Sequence, residues 1–135
     1  MKKITSILFA VVAMALVTFS SCGKYEEGPG FSLRSKKARV VGEWVIEKTI
    51  YNGVETSTGF DGITIEFKKD NTYTASFMGM TDNGKWDFDS KKENLEITDD
   101  TGDKTVEKIL RLTNKELWLV EEVGGNKYET HYKAK

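Results

Sequence analysis

The chain reads as all-β. The expected architecture is an antiparallel up-and-down meander of eight short strands, or nine if residues 54–58 form one of their own, closed into a barrel and preceded by a short helical turn. Three observations lead there. From Gly42 onward, apolar and polar residues alternate with a period of two. The breaks between alternating runs are hairpin material, among them Asp70-Asn71, Asn83-Gly84, Thr113-Asn114 and Gly124-Gly125-Asn126. Nothing in this region has the helical pattern of about 10–15 residues that a βαβ unit needs.

Residues 1–21 precede the barrel and read as an export signal: Lys2 and Lys3, an apolar run over residues 4–19, then the small pair Ser20-Ser21. As a helix, those 16 residues would reach about 24 Å, short of the roughly 30 Å hydrocarbon core. The segment is a signal and not a span. It runs straight into Cys22, the only cysteine. That junction resembles the lipobox of bacterial lipoproteins, although Phe19 stands where leucine is usual. The resemblance implies removal of residues 1–21 and acylation, palmitate included, of Cys22, which would anchor the protein in a Gram-negative cell envelope, at the outer membrane. Two or three acyl chains would make that attachment permanent on the protein's own timescale. The alternative, a soluble secreted protein, would leave a reactive free thiol near a flexible end.

Removing 21 residues from 135 leaves 114, enough for one domain and not two. Two lysines leave with the leader and no acid does, so the formal charge moves from −1 to −3. A mildly acidic chain with scattered cations gives no footing for nucleic-acid binding. With no second cysteine, no internal disulfide can form. Nothing calls for assembly, so a monomer is expected.

Residues 22–35 read as the acylated cysteine and a flexible tether, broken by Gly28-Pro29-Gly30. A coil of about a dozen residues has a root-mean-square reach of roughly 20 Å. Ser35 then caps a single helical turn with Val40 and Val41 on its apolar side, and Arg34, Lys36, Lys37 and Arg39 make it cationic. The domain proper covers residues 36–135.

Along the strands, Trp44, Ile46 and Ile50 share a face, with Lys48 among them as an internal or rim cation. Ile63, Ile65 and Phe67 share the next, then Tyr73, Ala75 and Phe77, and Trp86 and Phe88. Leu95 and Ile97 follow, then Leu110 and Leu112, Leu117 and Leu119, and Tyr128, Thr130 and Tyr132. His131 alternates with the last set and points outward. Links at 51–62, 78–84, 98–103 and 122–126 look long, and those at 69–71, 90–93 and 113–115 short. In a meander, alternate links share an end. One rim thus carries the long loops, and the other carries Trp44 and both chain ends.

Gly42-Glu43-Trp44 at the head of the first strand resembles the Gly-x-Trp signature of lipocalins. The runs Ile65-Glu66-Phe67-Lys68-Lys69-Asp70-Asn71-Thr72-Tyr73 and Gly84-Lys85-Trp86 are similar to the lipocalin-like domain of small bacterial envelope lipoproteins. The likeness covers residues 36–133. It implies a structural role for Gly42 and Trp44 at the closed end of the barrel, under a basic residue for which Lys133 is the match.

An eight-stranded barrel is just wide enough for side chains to fill it or for one small ligand to enter. So many inward aromatics predict a largely filled interior with a shallow site near the mouth, lined by Tyr51, Phe60, Phe77, Met78 and Met80, with Trp86 deeper. Methionine is adaptable lining. No catalytic constellation is visible, and His131, as the sole histidine, has no second histidine or thiol for a metal or nucleophile site. Asp99, Asp100 and Asp103 read as an acidic hairpin tip, since their spacing is not that of an EF-hand loop. Two functions remain. One is a lipoprotein, without catalysis or cofactor, that binds a small apolar or amphipathic ligand at the mouth. The other is a filled barrel that serves as a protein- or glycan-interaction module.

Overall fold

The computed structural model describes residues 25–26, 32–56 and 62–135. Helix α1 (Lys36–Val40) precedes β1 (Gly42–Tyr51), β2 (Val54–Thr56), β3 (Thr64–Phe67), β4 (Thr72–Phe77) and β5 (Met80–Phe88). Then come β6 (Asn94–Asp99), β7 (Lys104–Leu112), β8 (Glu116–Val123) and β9 (Asn126–Ala134). All pairings are antiparallel, and β9 returns to β1, so the sheet closes into a barrel.

Among the described residues, nine strands make eight staves. One edge of β1 pairs β9, while its other edge pairs β3 near Gly42 and β2 near Tyr51. Because β2 and β3 run the same way along that edge, they form one interrupted stave. The extra strand therefore exists, over Val54–Thr56, without moving any later turn to the other end.

The mouth turns are tighter than expected. Asn52-Gly53, Met78-Gly79 and Gly124-Gly125 are two-residue links in which both residues have positive φ, the requirement of the I′ hairpin turn. Asn83-Gly84 is not a turn but lies within β5. The reason is a close approach: a Cβ on Gly84 would stand 2.2 Å from the Thr98 carbonyl oxygen and 2.6 Å from the Tyr73 ring.

Two bulges reassign faces. Pairing of β1 with β9 skips Glu47, so Ile46 faces inward beside Tyr132, and Thr49 and Tyr51 take the inner positions after it. Lys48 and Ile50 consequently face outward, opposite His131 and Glu129, and Lys48 lies 4.0 Å from Glu55. Lys48 is therefore a cation of the outer wall and not of the lumen. A second irregularity skips Leu110, so the buried pair on β7 is Ile109 and Leu112. One extra residue re-aims every side chain beyond it.

The closed end is sealed by α1. Ser35 Oγ accepts the Ala38 amide at 3.1 Å as the N-cap, and Gly42, at φ +148, lets the chain swing from the helix into β1. Val40 is fully buried, and its carbonyl accepts the Trp44 indole N–H at 2.8 Å. The buried cation at this end is Arg39, whose guanidinium donates to the Leu112 carbonyl at 2.7 Å. Lys133 does not fill that role: it is exposed and pairs with Val45 on the outer wall.

Above this seal pack Trp44, Phe67, Trp86, Leu95, Ile109, Leu112, Leu117 and Leu119, all at most 2% exposed. Trp86 meets Phe67 and Phe88 edge-on at 5.5 and 5.8 Å, and its indole donates to the Lys68 carbonyl. Each such large side chain contributes roughly 2–3 kcal/mol through area removed from water. Tyr25 joins this cluster from outside the strands. It is 6% exposed, its hydroxyl donates to the Lys92 carbonyl at 2.9 Å, and the Lys36 ammonium lies 4.7 Å above its ring.

Candidate functional site

The fully buried apolar residues occupy the closed-end half of the lumen. Toward the mouth, the inward positions change character: Thr49, Tyr51, Asp82, Thr105, Glu107, Glu121, Tyr128 and Thr130 face one another by register. A filled apolar floor thus supports a polar upper tier.

Glu107 sits on the same face as Ile109 and opposite Leu95, both fully buried. Burial pushes its carboxyl up to about 7, and the Glu121 carboxylate adds to the effect. No hydrogen bond or ion pair from a described residue satisfies it. Burial also raises the Tyr132 hydroxyl, with Glu107 contributing. On the β4–β5 side, the Tyr73 ring lies over Gly84 and its hydroxyl donates to Asp82 at 3.2 Å. Burial and Asp82 push that phenol up to about 12. The upper lumen is therefore rich in acceptors and, among the described residues, holds no cation.

Two hollows open at the rim. One, of about 410 Å³, is lined by Thr49, Ile50, Tyr51, Thr56, Tyr128, Glu129 and Thr130. The Tyr51 and Tyr128 rings lie 5.0 Å apart there, and Tyr51 raises the Tyr128 hydroxyl. The other, of about 180 Å³, lies along the β4–β5 hairpin between Ile63, Ala75, Phe77, Met80 and Asp82. Tyr51 therefore belongs to one hollow, and Phe77 and Met80 to the other. Met78 stands at the turn tip, 83% exposed, and Trp86 is in the floor, 1% exposed. Phe60 lies outside the described residues, as does Cys22.

Eight large hydrophobic residues are exposed among the described residues, and six of them, Tyr51, Val54, Met78, Met80, Val123 and Tyr128, ring the mouth. An apolar collar around an acidic well was not visible from alternation alone. The signal that could have found it was Glu107 in phase with Ile109.

His131 does point outward, yet it is 3% exposed. The Trp118 indole covers it, and Arg111 lies 5.3 Å from that indole on the same wall. His131 Nε2 contacts the Glu129 carboxylate, while Nδ1 and the Trp118 indole N–H have no hydrogen-bond partner among the described residues. Asp99 is engaged in its own turn, accepting from Thr101 Oγ1 at 2.6 Å and from the Asp103 amide at 2.9 Å. Among the described residues, no three acidic, histidine or cysteine side chains converge as a metal site would need.

A family model described as a lipocalin-like domain matches residues 40–119. Among solved structures, that of a DUF4847 family protein from Bacteroides vulgatus superposes with a TM-score of 0.50 at 14% identity, covering 70% of this chain and 94% of that one. At that identity the likeness concerns the fold alone. Comparison with curated proteins gave no match.

Proposed function

Because the chain belongs to the lipocalin-like domain family, we propose that its barrel binds one small amphipathic molecule at the mouth, without catalysis, and that acylated Cys22 anchors it to the outer membrane of a bacterial envelope. In this reading residues 1–21 are removed and the mature monomer begins at Cys22. The observation that carries the binding assignment is the two-tier lumen, with an apolar collar of aromatic and methionine side chains above carboxylates that no described cation satisfies. An alkyl or aromatic tail suits the collar, and a polar end that donates hydrogen bonds suits Glu107 and Glu121. Both carboxyl groups are half-buried and line the lumen without a described partner, so a donor-bearing or cationic head suits them better than a fatty-acid carboxylate, which would add like charge.

The test uses the mature chain with Cys22→Ser, titrated with dansylated alkylamine and dansylated fatty-acid probes. Saturable binding of one probe per protein, tighter for the amine and weakened by Tyr128→Ala, supports the reading. No saturable binding of either probe contradicts it. A second reading, an interaction module for a protein or glycan, is favoured by the same exposed collar, since contiguous apolar patches mark interaction surfaces. It predicts a partner that protects the turn tips at Met78 and Val123 while the lumen stays open to small probes.

A further inference from the structure

We propose that the closed end of the barrel is a membrane-docking face, and that Tyr25 clasps the lipid-bearing end of the chain against it. The inference rests on the acylation of Cys22 proposed above and adds how the barrel sits on the bilayer. A free tether over residues 22–35 would let the domain wander about 20 Å from its anchor. Tyr25 is instead part of the barrel core, hydrogen-bonded to the Lys92 carbonyl and capped by the Lys36 ammonium. Glu26 pairs with Lys108 on the wall of β7 at 2.6 Å. Only three peptide steps separate Cys22 from Tyr25, so residue 22 stays within roughly 10–11 Å of this attachment point.

The surface beside Tyr25 fits anionic headgroups. Arg34, Lys37, Lys69, Lys91, Lys92 and Lys115 are exposed on the approach to α1 and on the turns of this end, against exposed Asp70 and Glu93. The mouth turns carry Asp100 and Asp103, and the two exposed lysines at their feet, Lys104 and Lys127, are each paired with an acid, Glu96 and Glu122. Cations near an anionic leaflet add attraction one by one, and the mouth's acids oppose the inverted pose. The barrel is thereby seated with its mouth turned toward the aqueous side.

The experiment uses full-length, natively lipidated protein in phosphatidylcholine vesicles with and without phosphatidylglycerol. A fluorophore is placed through Lys91→Cys at the closed end, or through Asn126→Cys at the mouth, and quenched by a headgroup nitroxide lipid. The proposal expects severalfold stronger quenching at position 91 than at 126, greater with phosphatidylglycerol. Tyr25→Ala should lower the position-91 signal while the protein still floats with the vesicles. Should Tyr25→Ala impair folding, Lys37→Glu with Lys115→Glu, both exposed, tests the face alone and should remove the phosphatidylglycerol dependence. Flotation with equal quenching at both positions, or quenching indifferent to Tyr25 and to those charges, overturns the docking. Failure to float overturns the anchor itself.

Discussion

The Trp118 indole lies flat on the His131 imidazole, centroids 3.9 Å apart and planes 8° from parallel, on the outer wall of β8 and β9. The two residues are directly paired across the strands, so the stack is a cross-strand contact that buries an outward histidine, on the same outer face as the buried Val120.

Removing either ring uncovers the other. Trp118→Ala and His131→Ala should each destabilise the fold by about 1–3 kcal/mol, read as a lower urea midpoint. His131→Phe retains the stack and removes the unpartnered Nδ1, so it should cost less than His131→Ala. Equal losses in the two variants would show that the stack contributes little.

Glu107 makes stability depend on pH in an unusual direction. Its folded pKa of about 7 lies above the ordinary value of 4.5, so the folded state holds the proton more tightly than the unfolded chain. That contribution is fully present below about pH 4.5 and is lost as pH rises to about 7, amounting to about 2 kcal/mol after allowance for partial solvent access. Glu107→Gln should remove the decline and leave the variant more stable than the parent at pH 8. Urea titrations at pH 5 and pH 8 check this; an unchanged decline in the variant would contradict it.

Gly84 tolerates no side chain. Because the nearest atom to an added Cβ is the Thr98 backbone oxygen at 2.2 Å, Gly84→Ala must move a strand. It should cost about 2–4 kcal/mol, comparable with severe overpacking. Shortening the ring in Tyr73→Leu should not rescue it, since the backbone contact remains. A denaturation midpoint within error of the parent would show that β5 adjusts freely.

Much of this architecture was legible because a half-buried strand must alternate. The stave pattern, the Ser35 cap and the outward phase of His131 follow from period two or from capping chemistry, and the Trp44 floor from the resemblance of Gly42-Glu43-Trp44 to the lipocalin signature. What escaped was whatever breaks the period locally. Bulges at Glu47 and Leu110 each add one residue with no composition of their own, so Lys48 and Ile50 exchanged faces with Thr49 and Tyr51. Asn83-Gly84 has the composition of a turn, but the need at that point was for a bare backbone under Tyr73. Arg39 displaced Lys133 at the floor because α1 brings a cation underneath the barrel, which strand alternation cannot reveal. At the rim, Tyr51 lines one hollow and Phe77 and Met80 another, while Met78 stands at a turn tip outside both. The acids beneath them were missed because charged residues in a strand are read as outward by default.

The mouth as an amphiphile site is tested most directly by recording amide NMR shifts of the Cys22→Ser protein during titration with a long-chain alkylamine. A ligand seated at the mouth gives saturable shifts at Thr49, Tyr51, Glu107, Glu121 and Tyr128, with Lys69 and Lys91 at the closed end unmoved. Shifts confined to the outer wall, or none that saturate, would contradict it.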